Sequence, residues 1–170
     1  KILIMAGGTG GHIFPALEKL FGSELSFEFH IIGDGPLITK CSEFLADPRF
    51  IFHGALYNEK DIGAIALKCD LLVYPGSVGL SLIKGFGYGL PAVIHSNMRN
   101  HMPECAAAVK NKNAIFFNEN NYESFIHAIR NYHSMPSVSK LELHVNALKT
   151  VQKTYNTDDM IRRMIDCLNG

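Results

Sequence analysis

Six short apolar runs, separated by stretches of helical periodicity, constrain the fold of this chain most. The runs are apolar for most of their length, contain β-branched or aromatic residues, and are bounded by Gly, Pro or Asn. This pattern is typical of strands buried on both faces of a parallel sheet. The predicted strands are Lys1–Ala6, Phe27–Gly33, Phe50–Gly54, Leu71–Gly76, Pro91–His95 and Ala114–Phe117.

The stretches between these runs predict the crossover helices of βαβ units. Because such crossovers are right-handed, six strands give an α/β fold with a single Rossmann-like, doubly wound parallel sheet in the default order 3-2-1-4-5-6. Residues 1–170 would form one domain, with extra C-terminal helices in residues 136–170, from Ser139 to about Tyr155 and from Thr157 to Leu168. The other predicted helices are Pro15–Phe21, Leu37–Leu45, Glu59–Lys68, Leu80–Tyr88, Pro103–Val109 and Tyr122–Tyr132.

Composition and charge exclude several classes of protein. Sixteen basic and sixteen acidic residues give a net charge of zero, whereas a nucleic-acid-binding domain normally carries a basic surface. No apolar run approaches the roughly 20 residues of a membrane span, and no signal peptide is visible. The widely spaced cysteines predict reduced, mostly buried thiols of a cytoplasmic protein, with no zinc site and no disulfide framework. They are Cys41, Cys69, Cys105 and Cys167.

The first predicted strand runs into a glycine-rich turn. Four glycines lie among residues 7–11, His12 follows, and a helix begins near Pro15. Glycine permits positive φ angles and a close backbone approach to a ligand, and a helix N-terminus favours an anion. The segment therefore predicts recognition of a phosphate or diphosphate. The candidate binding residues are Gly8, Thr9, Gly10 and Gly11.

Glycine recurs at four of the six predicted strand ends. Ligands of doubly wound sheets bind beyond the carboxyl ends of the strands, and here those ends lead into residues 7–12, 33–35, 54–58, 76–79, 96–104 and 118–121. One glycine after a strand is ordinary turn chemistry. Four at one edge favour a nucleotide or nucleotide-sugar site.

An NAD-type Rossmann enzyme is an alternative that the glycine spacing supports only in part. The dinucleotide fingerprint requires a sixth-position glycine, and counting from Gly8 that position is Ile13. It also requires an acidic residue at the end of the second strand, where this chain has Gly33 followed by Asp34. A P-loop is excluded because no glycine precedes Lys and Ser or Thr at the required spacing.

The opening GGTGGHIFPAL resembles the signature of the MurG family, the N-acetylglucosaminyltransferases of peptidoglycan synthesis. This resemblance covers residues 1–20, as a MurG-like βα unit. It implies the acceptor-side half of a GT-B fold, in which the loop meets the diphosphate of a lipid acceptor. It also implies a parent enzyme that is peripheral to the inner face of the cell membrane.

The remainder of the chain resembles the C-terminal, donor-binding half of retaining family-four glycosyltransferases. This resemblance assigns residues 27–135 to the donor-domain core and implies UDP or a UDP-sugar as ligand, without a cofactor or metal. The two resemblances together imply a chimera, recombined or designed, and the alternative is a divergent natural glycosyltransferase fragment. The residues that carry the second resemblance are HIIGDGP, FHGALYNEKDI, CDLLVYPGSVGLSLIKGFGYGLPAVIH, NHMPE and NAIFFNENNYESF.

The second resemblance implies roles around residues 76–84. The segment GSVGL stands in place of the family's Glu-Gly-Phe-Gly-Leu, which directs the backbone N–H groups of Ser77, Val78 and Gly79 at the donor diphosphate. Lys84 stands where the family has a glutamate that holds the ribose hydroxyls. Lysine donates a hydrogen bond to a hydroxyl but accepts none. The alternative for Lys84 is a solvated helix residue.

Other candidate residues lie at neighbouring strand ends. Gly54 and Leu56 match the family's uracil contacts, and Asn100, His101 and Glu104 match a loop near the sugar and phosphates. Glu104 is alternatively a first-turn carboxylate favoured by the helix dipole.

Two residues near the first two strand ends also have alternatives. His12 is the candidate catalytic group or phosphate ligand, because its charge is adjustable near neutral pH, and it is alternatively a helix cap. Asp34 is placed to orient a ribose, but Gly-Asp-Gly is also an ordinary turn.

These inferences predict the nucleotide-sugar-binding half of a glycosyltransferase. A GT-B enzyme works in the cleft between two halves, so we expect the isolated chain to bind UDP-type ligands but to transfer no sugar. Apolar surface where the missing second half packs would promote self-association. The alternative classes are a folding scaffold without a ligand and the NAD-type enzyme.

Overall fold

The computed structural model describes residues 1–5, 18, 20, 22, 26–33 and 46–169. In this part of the chain six parallel strands form one sheet in the order β3-β2-β1-β4-β5-β6. The predicted α/β fold class and strand order are thereby confirmed. The strands are β1 (Ile2–Met5), β2 (Phe29–Ile32), β3 (Phe50–Phe52), β4 (Leu71–Val73), β5 (Ala92–His95) and β6 (Ala114–Phe117).

The central strand β1 is buried along its whole length and pairs on both sides. Ile2 is in register with Phe29 of β2 and with Leu71 of β4. Its sequence, ILIM, contains no polar residue, because neither face of a parallel sheet covered by helices meets water. Continuous apolar character, rather than alternation, was therefore the correct signal for these strands.

Five α-helices follow β3 and agree with the sequence-based expectation. The first-turn N–H groups of two of them are capped by asparagine side chains: Asn58 accepts from the N–H of Lys60, and Asn121 accepts from that of Ser124. The predicted helix 15–21 is described only at Glu18 and Leu20, which are helical. The predicted helix 37–45 lies outside the described residues. The five helices are α1 (Glu59–Ala66), α2 (Leu80–Gly87), α3 (Tyr122–Ser134), α4 (Ser137–Lys153) and α5 (Thr157–Asn169).

The helical stretch predicted for Pro103–Val109 is shorter in the structure and is not an α-helix. The segment is a 3₁₀ helix over Pro103–Ala107, and Ala108 has extended backbone angles. The buried side chain of Asn113 accepts a hydrogen bond from the N–H of Val109 at 2.7 Å. That bond satisfies the donor with a side chain instead of a helical carbonyl, so the helix does not continue.

Helices cover both faces of the sheet. One face packs against α3, where Phe125 and Ile129 contact strand residues such as Phe29. The other face packs against α1 and α2, where Leu82 and Phe86 are fully buried. The α2 helix approaches β4 so closely that a Cβ on Gly85 would lie 2.5 Å from Leu72 Cδ2.

The last helix, α5, carries an apolar stripe that the rest of the described chain does not cover. Its Asp159 is buried and forms ion pairs within the same helix, with Arg162 and with Arg163, the latter at 2.7 Å. None of the described helices is long and apolar enough to cross a membrane. The stripe comprises Met160, Ile161, Met164, Ile165 and Leu168, each at least 47% exposed.

The cysteines agree in part with the prediction of buried thiols. Cys69 and Cys105 are buried, whereas Cys167 on α5 is exposed. Burial raises the pKa of the Cys69 thiol to about 11, so this group is unreactive at neutral pH. Cys41 lies outside the described residues.

Candidate functional site

The strand order reverses between β1 and β4, and this point defines where a ligand is expected. The connections that follow these two strands run in opposite directions, so a crevice opens beyond the carboxyl ends of the strands. We call this side of the sheet the carboxyl edge. The loop after β1, with Gly8, Thr9, Gly10, Gly11 and His12, lies outside the described residues, and so does Asp34. The loop after β4 (residues 74–79, the β4–α2 loop) is described and borders the same crevice.

The β4–α2 loop presents backbone donors at the start of α2. Gly79 is the N-cap residue, and no side chain caps this helix end. The N–H groups of Ser77, Gly79 and Leu80 meet no acceptor among the described residues. Unpaired donors at a helix start attract an anion. Val78 differs, because its N–H donates to His101 at 3.0 Å. The expectation that all of the loop's amides face a diphosphate is therefore wrong for Val78.

His101 connects the β4–α2 loop to the end of β5. Its Nδ1 accepts from Val78, and its Nε2 donates to the backbone oxygen of His95 at 2.9 Å. The imidazole rings of His101 and His95 stack with their centroids 3.7 Å apart. The N–H of Met102 also donates to the Val78 carbonyl, at 2.9 Å. Both backbone groups of Val78 are thus held by consecutive residues.

A carboxylate–amide cluster lies beside these rings, and sequence reasoning missed it. Glu119 accepts from the side-chain amides of Asn97 at 2.7 Å and Asn100 at 2.6 Å. These two hydrogen bonds lower the pKa of the Glu119 carboxyl. The side chain of Asn100 is thereby committed within the protein. The signal for this cluster was the polar run after β6, which the sequence analysis treated only as a strand end.

Glu104 lies next to the β4–α2 loop. Its Oε2 has no hydrogen-bond partner among the described residues. A Cβ on Gly79 would lie 3.9 Å from that oxygen and 3.4 Å from Cγ of Met102. The loop and the Pro103–Ala107 segment are therefore in direct contact. The carboxylate of Glu104 lies beside Gly79, next to the unpaired N–H groups of the β4–α2 loop.

The loop after β3 contains the other predicted nucleotide contacts. Gly54 has a φ of +69°, a conformation that favours glycine, and its carbonyl accepts from the N–H of Gly33 at 2.8 Å. Leu56 is half-buried against the core. The next residue, Tyr57, is 90% exposed, which leaves an aromatic face open to solvent.

Lys84 is an exposed residue of α2 that pairs with another helix. It forms an ion pair with Glu59 at the start of α1, and the hydroxyl of Tyr88 donates to the same carboxylate at 3.1 Å. These contacts lower the pKa of Glu59, and desolvation with the nearby carboxylate raises the pKa of Tyr88. The pair joins α1 to α2 across 25 residues of sequence.

A groove of about 770 Å³ adjoins the start of α2. Leu80, Ile83 and Glu104 form one wall, and α5 residues including Met160 and Met164 form the other. No group of three His, Cys, Asp or Glu side chains within the described ranges is arranged to hold a metal ion.

Comparison with known families shows which family this fold belongs to. Residues 12–134 match the profile of the family described as Glycosyl transferases group 1. That span exceeds half of the chain, so the protein belongs to this family of glycosyl transferases.

Particular relatives are bacterial. The chain is 36% identical over 107 residues to the UDP-N-acetylglucosamine–N-acetylmuramyl-(pentapeptide) pyrophosphoryl-undecaprenol N-acetylglucosamine transferase of Rickettsia canadensis. The alignment takes 55% of this chain and 27% of that enzyme. Over 57 residues it is 42% identical to the enzyme of the same name from Rickettsia massiliae, covering 31% of this chain and 14% of the relative. The chain thus spans about a quarter of the first relative's length. The first alignment is also longer than the 20 residues to which the sequence analysis confined this resemblance.

Solved structures agree on the fold. Staphylococcus aureus TarM, in a mutant form complexed with fondaparinux, alpha-GlcNAc-glycerol and UDP, has a TM-score of 0.77 at 17% identity, covering 100% of this chain and 36% of that one. Anabaena HepE in complex with UDP has a TM-score of 0.76 at 14% identity, covering 99% and 48%. A glycosyltransferase from Rickettsia africae has a TM-score of 0.74 at 17% identity, covering 98% and 46%.

Proposed function

We propose that the carboxyl edge binds the diphosphate of a UDP-type nucleotide sugar. The observation that carries the proposal is the row of unpaired N–H groups at Ser77, Gly79 and Leu80, beside the point where the strand order reverses. Three donors at a helix start suit a diphosphate, because they add to the positive end of the helix dipole. The UDP complex of HepE, a fold neighbour, supports this choice of ligand.

The remaining predicted residues take places around that diphosphate. Gly54 and Leu56 would lie under the uracil, and exposed Tyr57 is available for stacking on the base. Lys84, through its pair with Glu59, would border the ribose. The Gly8–Gly11 segment would add a second set of amides, and His12 stays the candidate catalytic group.

Binding alone is expected of residues 1–170. Sugar transfer requires an acceptor held against the donor and water excluded from the reacting centre. The chain covers 36–48% of the three structural neighbours named above. The apolar stripe of α5 is a suitable surface for a further part of such an enzyme, and we expect it to cause self-association when left open. A chimeric origin of residues 1–20 remains our hypothesis.

A titration of the 170-residue chain tests the proposed function. Isothermal calorimetry with UDP, UDP-N-acetylglucosamine, GDP and NAD should give saturable heat for the two UDP ligands only. No heat with UDP at millimolar concentration would refute the proposal, and saturation by NAD alone would favour the NAD-type alternative. Detectable transfer to an added acceptor would refute the expected inactivity.

A pair of variants at Ser77 locates the ligand. Ser77 is exposed, so Ser77→Glu leaves the core intact and places a negative charge beside the predicted diphosphate. Two unit charges about 6 Å apart repel by about 0.7 kcal/mol in bulk water and about 2.8 kcal/mol near a protein surface, which corresponds to a roughly 3- to 100-fold loss of affinity at low salt. Ser77→Gln, of the same size and neutral, should bind like the unmodified chain. Equal affinities of the two variants would place the ligand elsewhere.

A further inference from the structure

We propose that His101, as the neutral Nε2–H tautomer, is a positioning residue that holds the β4–α2 loop in its anion-binding conformation. Its relevance to a ligand rests on the proposed function, whereas its effect on the loop does not. The His101 side chain contacts the backbone of the loop at Val78 and leaves the N–H groups of Ser77, Gly79 and Leu80 without a partner in the described part of the chain.

The hydrogen-bond partners fix where the ring proton lies. The Val78 N–H can only donate, so Nδ1 of His101 must be an unprotonated acceptor at 3.0 Å. The His95 carbonyl can only accept, so Nε2 must carry the hydrogen at 2.9 Å. Only the neutral Nε2–H form satisfies both contacts at once. The ring therefore joins two strand ends that are adjacent in the sheet.

The contacts of Val78 show what the ring controls. Val78 is fully buried, while Ser77 before it is exposed. The N–H of Val78 bonds to His101, and its carbonyl accepts from Met102 at 2.9 Å. With Val78 held inward on both sides, the N–H groups of Ser77 and Gly79 are left without partners and available to a ligand. An amide that turned inward would be lost to the site.

The surroundings hold the ring itself in place. His101 stacks on buried His95 at 3.7 Å between centroids, with 16° between the ring planes. The His95 Nε2 lies 3.8 Å from Glu119 Oε1, and Glu119 is itself fixed by Asn97 and Asn100. A hydrogen-bonding side chain held by a rigid second layer positions a loop more firmly than a solvated one.

Two substitutions separate the hydrogen bonds from the packing. His101→Phe keeps a planar ring that stacks on His95 but removes both hydrogen bonds. His101→Gln supplies an acceptor and a donor at a similar spacing and should restore part of the effect. His127→Phe on α3, away from this edge, is the matched control for a histidine-to-phenylalanine change.

Nuclear magnetic resonance on the 170-residue chain is the direct test. The ¹⁵N spectrum should show Nδ1 of His101 unprotonated. Exchange of the Val78 amide hydrogen should be about tenfold faster or more in His101→Phe, nearer the original rate in His101→Gln, and unchanged in His127→Phe. A protonated Nδ1, or unchanged Val78 exchange in His101→Phe, would overturn the proposal.

Calorimetry with UDP then connects the loop to its ligand. His101→Phe should raise the UDP Kd by about fivefold to tenfold, which is the effect expected from losing the hydrogen bond between Val78 and His101 that holds the loop. His101→Gln should recover part of this loss of affinity. Equal Kd values for the unmodified chain and His101→Phe would remove His101 from ligand binding and leave the proposed function standing. If the unmodified chain binds no UDP, the proposed function fails, and the exchange rates still decide whether His101 holds the loop.

Discussion

Replacing Leu80 with proline would delete one predicted ligand contact without changing a functional side chain. Leu80 is the first residue of α2, after the N-cap Gly79. Proline is favoured at the first position of a helix, where its missing N–H costs no helical hydrogen bond. Gly79 has no Cβ, so it avoids the clash that restricts residues before proline. The exchange therefore removes a single backbone donor.

The expected loss of affinity follows from the environment of that donor. A hydrogen bond to a charged group contributes about 1.5–3 kcal/mol. Leu80 is 67% exposed, so the lower end applies, and about 1.5 kcal/mol corresponds to a roughly tenfold increase in Kd. Leu80→Ala, which loses the side chain but keeps the N–H, should bind UDP within about twofold of the unmodified chain.

Stability and binding should move independently in this pair of variants. Proline at a compatible position reduces the entropy of the unfolded chain and adds about 0.4–1 kcal/mol. Thermal melts should therefore place Leu80→Pro at or above Leu80→Ala, while calorimetry gives it the weaker UDP affinity. Equal affinities would show that this amide does not face the ligand. A lower melting temperature for Leu80→Pro would mean that Leu80 is not the first residue of the helix.

Two further changes test the packing that holds the site. Gly85→Ala should lower the free energy of unfolding by about 1–3 kcal/mol, because its Cβ would lie 2.5 Å from a methyl group of buried Leu72. The control Gly87→Ala should not lower it, because no atom lies within 4 Å of a Cβ at that position. Equal urea midpoints for the two variants would contradict the close approach of α2 to β4. Tyr132→Phe should cost about 1–2 kcal/mol in the same assay, since the hydroxyl of this buried ring donates to the Asp70 carbonyl at 2.8 Å and also lies 2.8 Å from Nε2 of His144. An unchanged midpoint would show that these two hydroxyl contacts contribute nothing to stability.

The sequence by itself determined the sheet. Strands such as β1, apolar throughout, and β6, bounded by asparagines, carry their signal in adjacent residues, and the handedness of crossovers then restricts the strand order. The same local information located α2 after a glycine, and it placed Gly54 and Gly79 at one edge. At residues 103–109 it predicted a helical stretch, and the structure has a shorter 3₁₀ helix that ends before Val109, whose N–H donates to Asn113.

Only the tertiary structure decided which groups at that edge are available to a ligand. The bond from Val78 to His101 spans 23 residues, and the pair of Lys84 with Glu59 spans 25. Such contacts depend on how neighbouring strand ends and helices face one another once the sheet has formed, and no local pattern of residue types encodes this. The sequence therefore predicted the loop as an anion site, whereas packing joined the Val78 amide to His101 and left the N–H groups of Ser77 and Gly79 without a partner among the described residues.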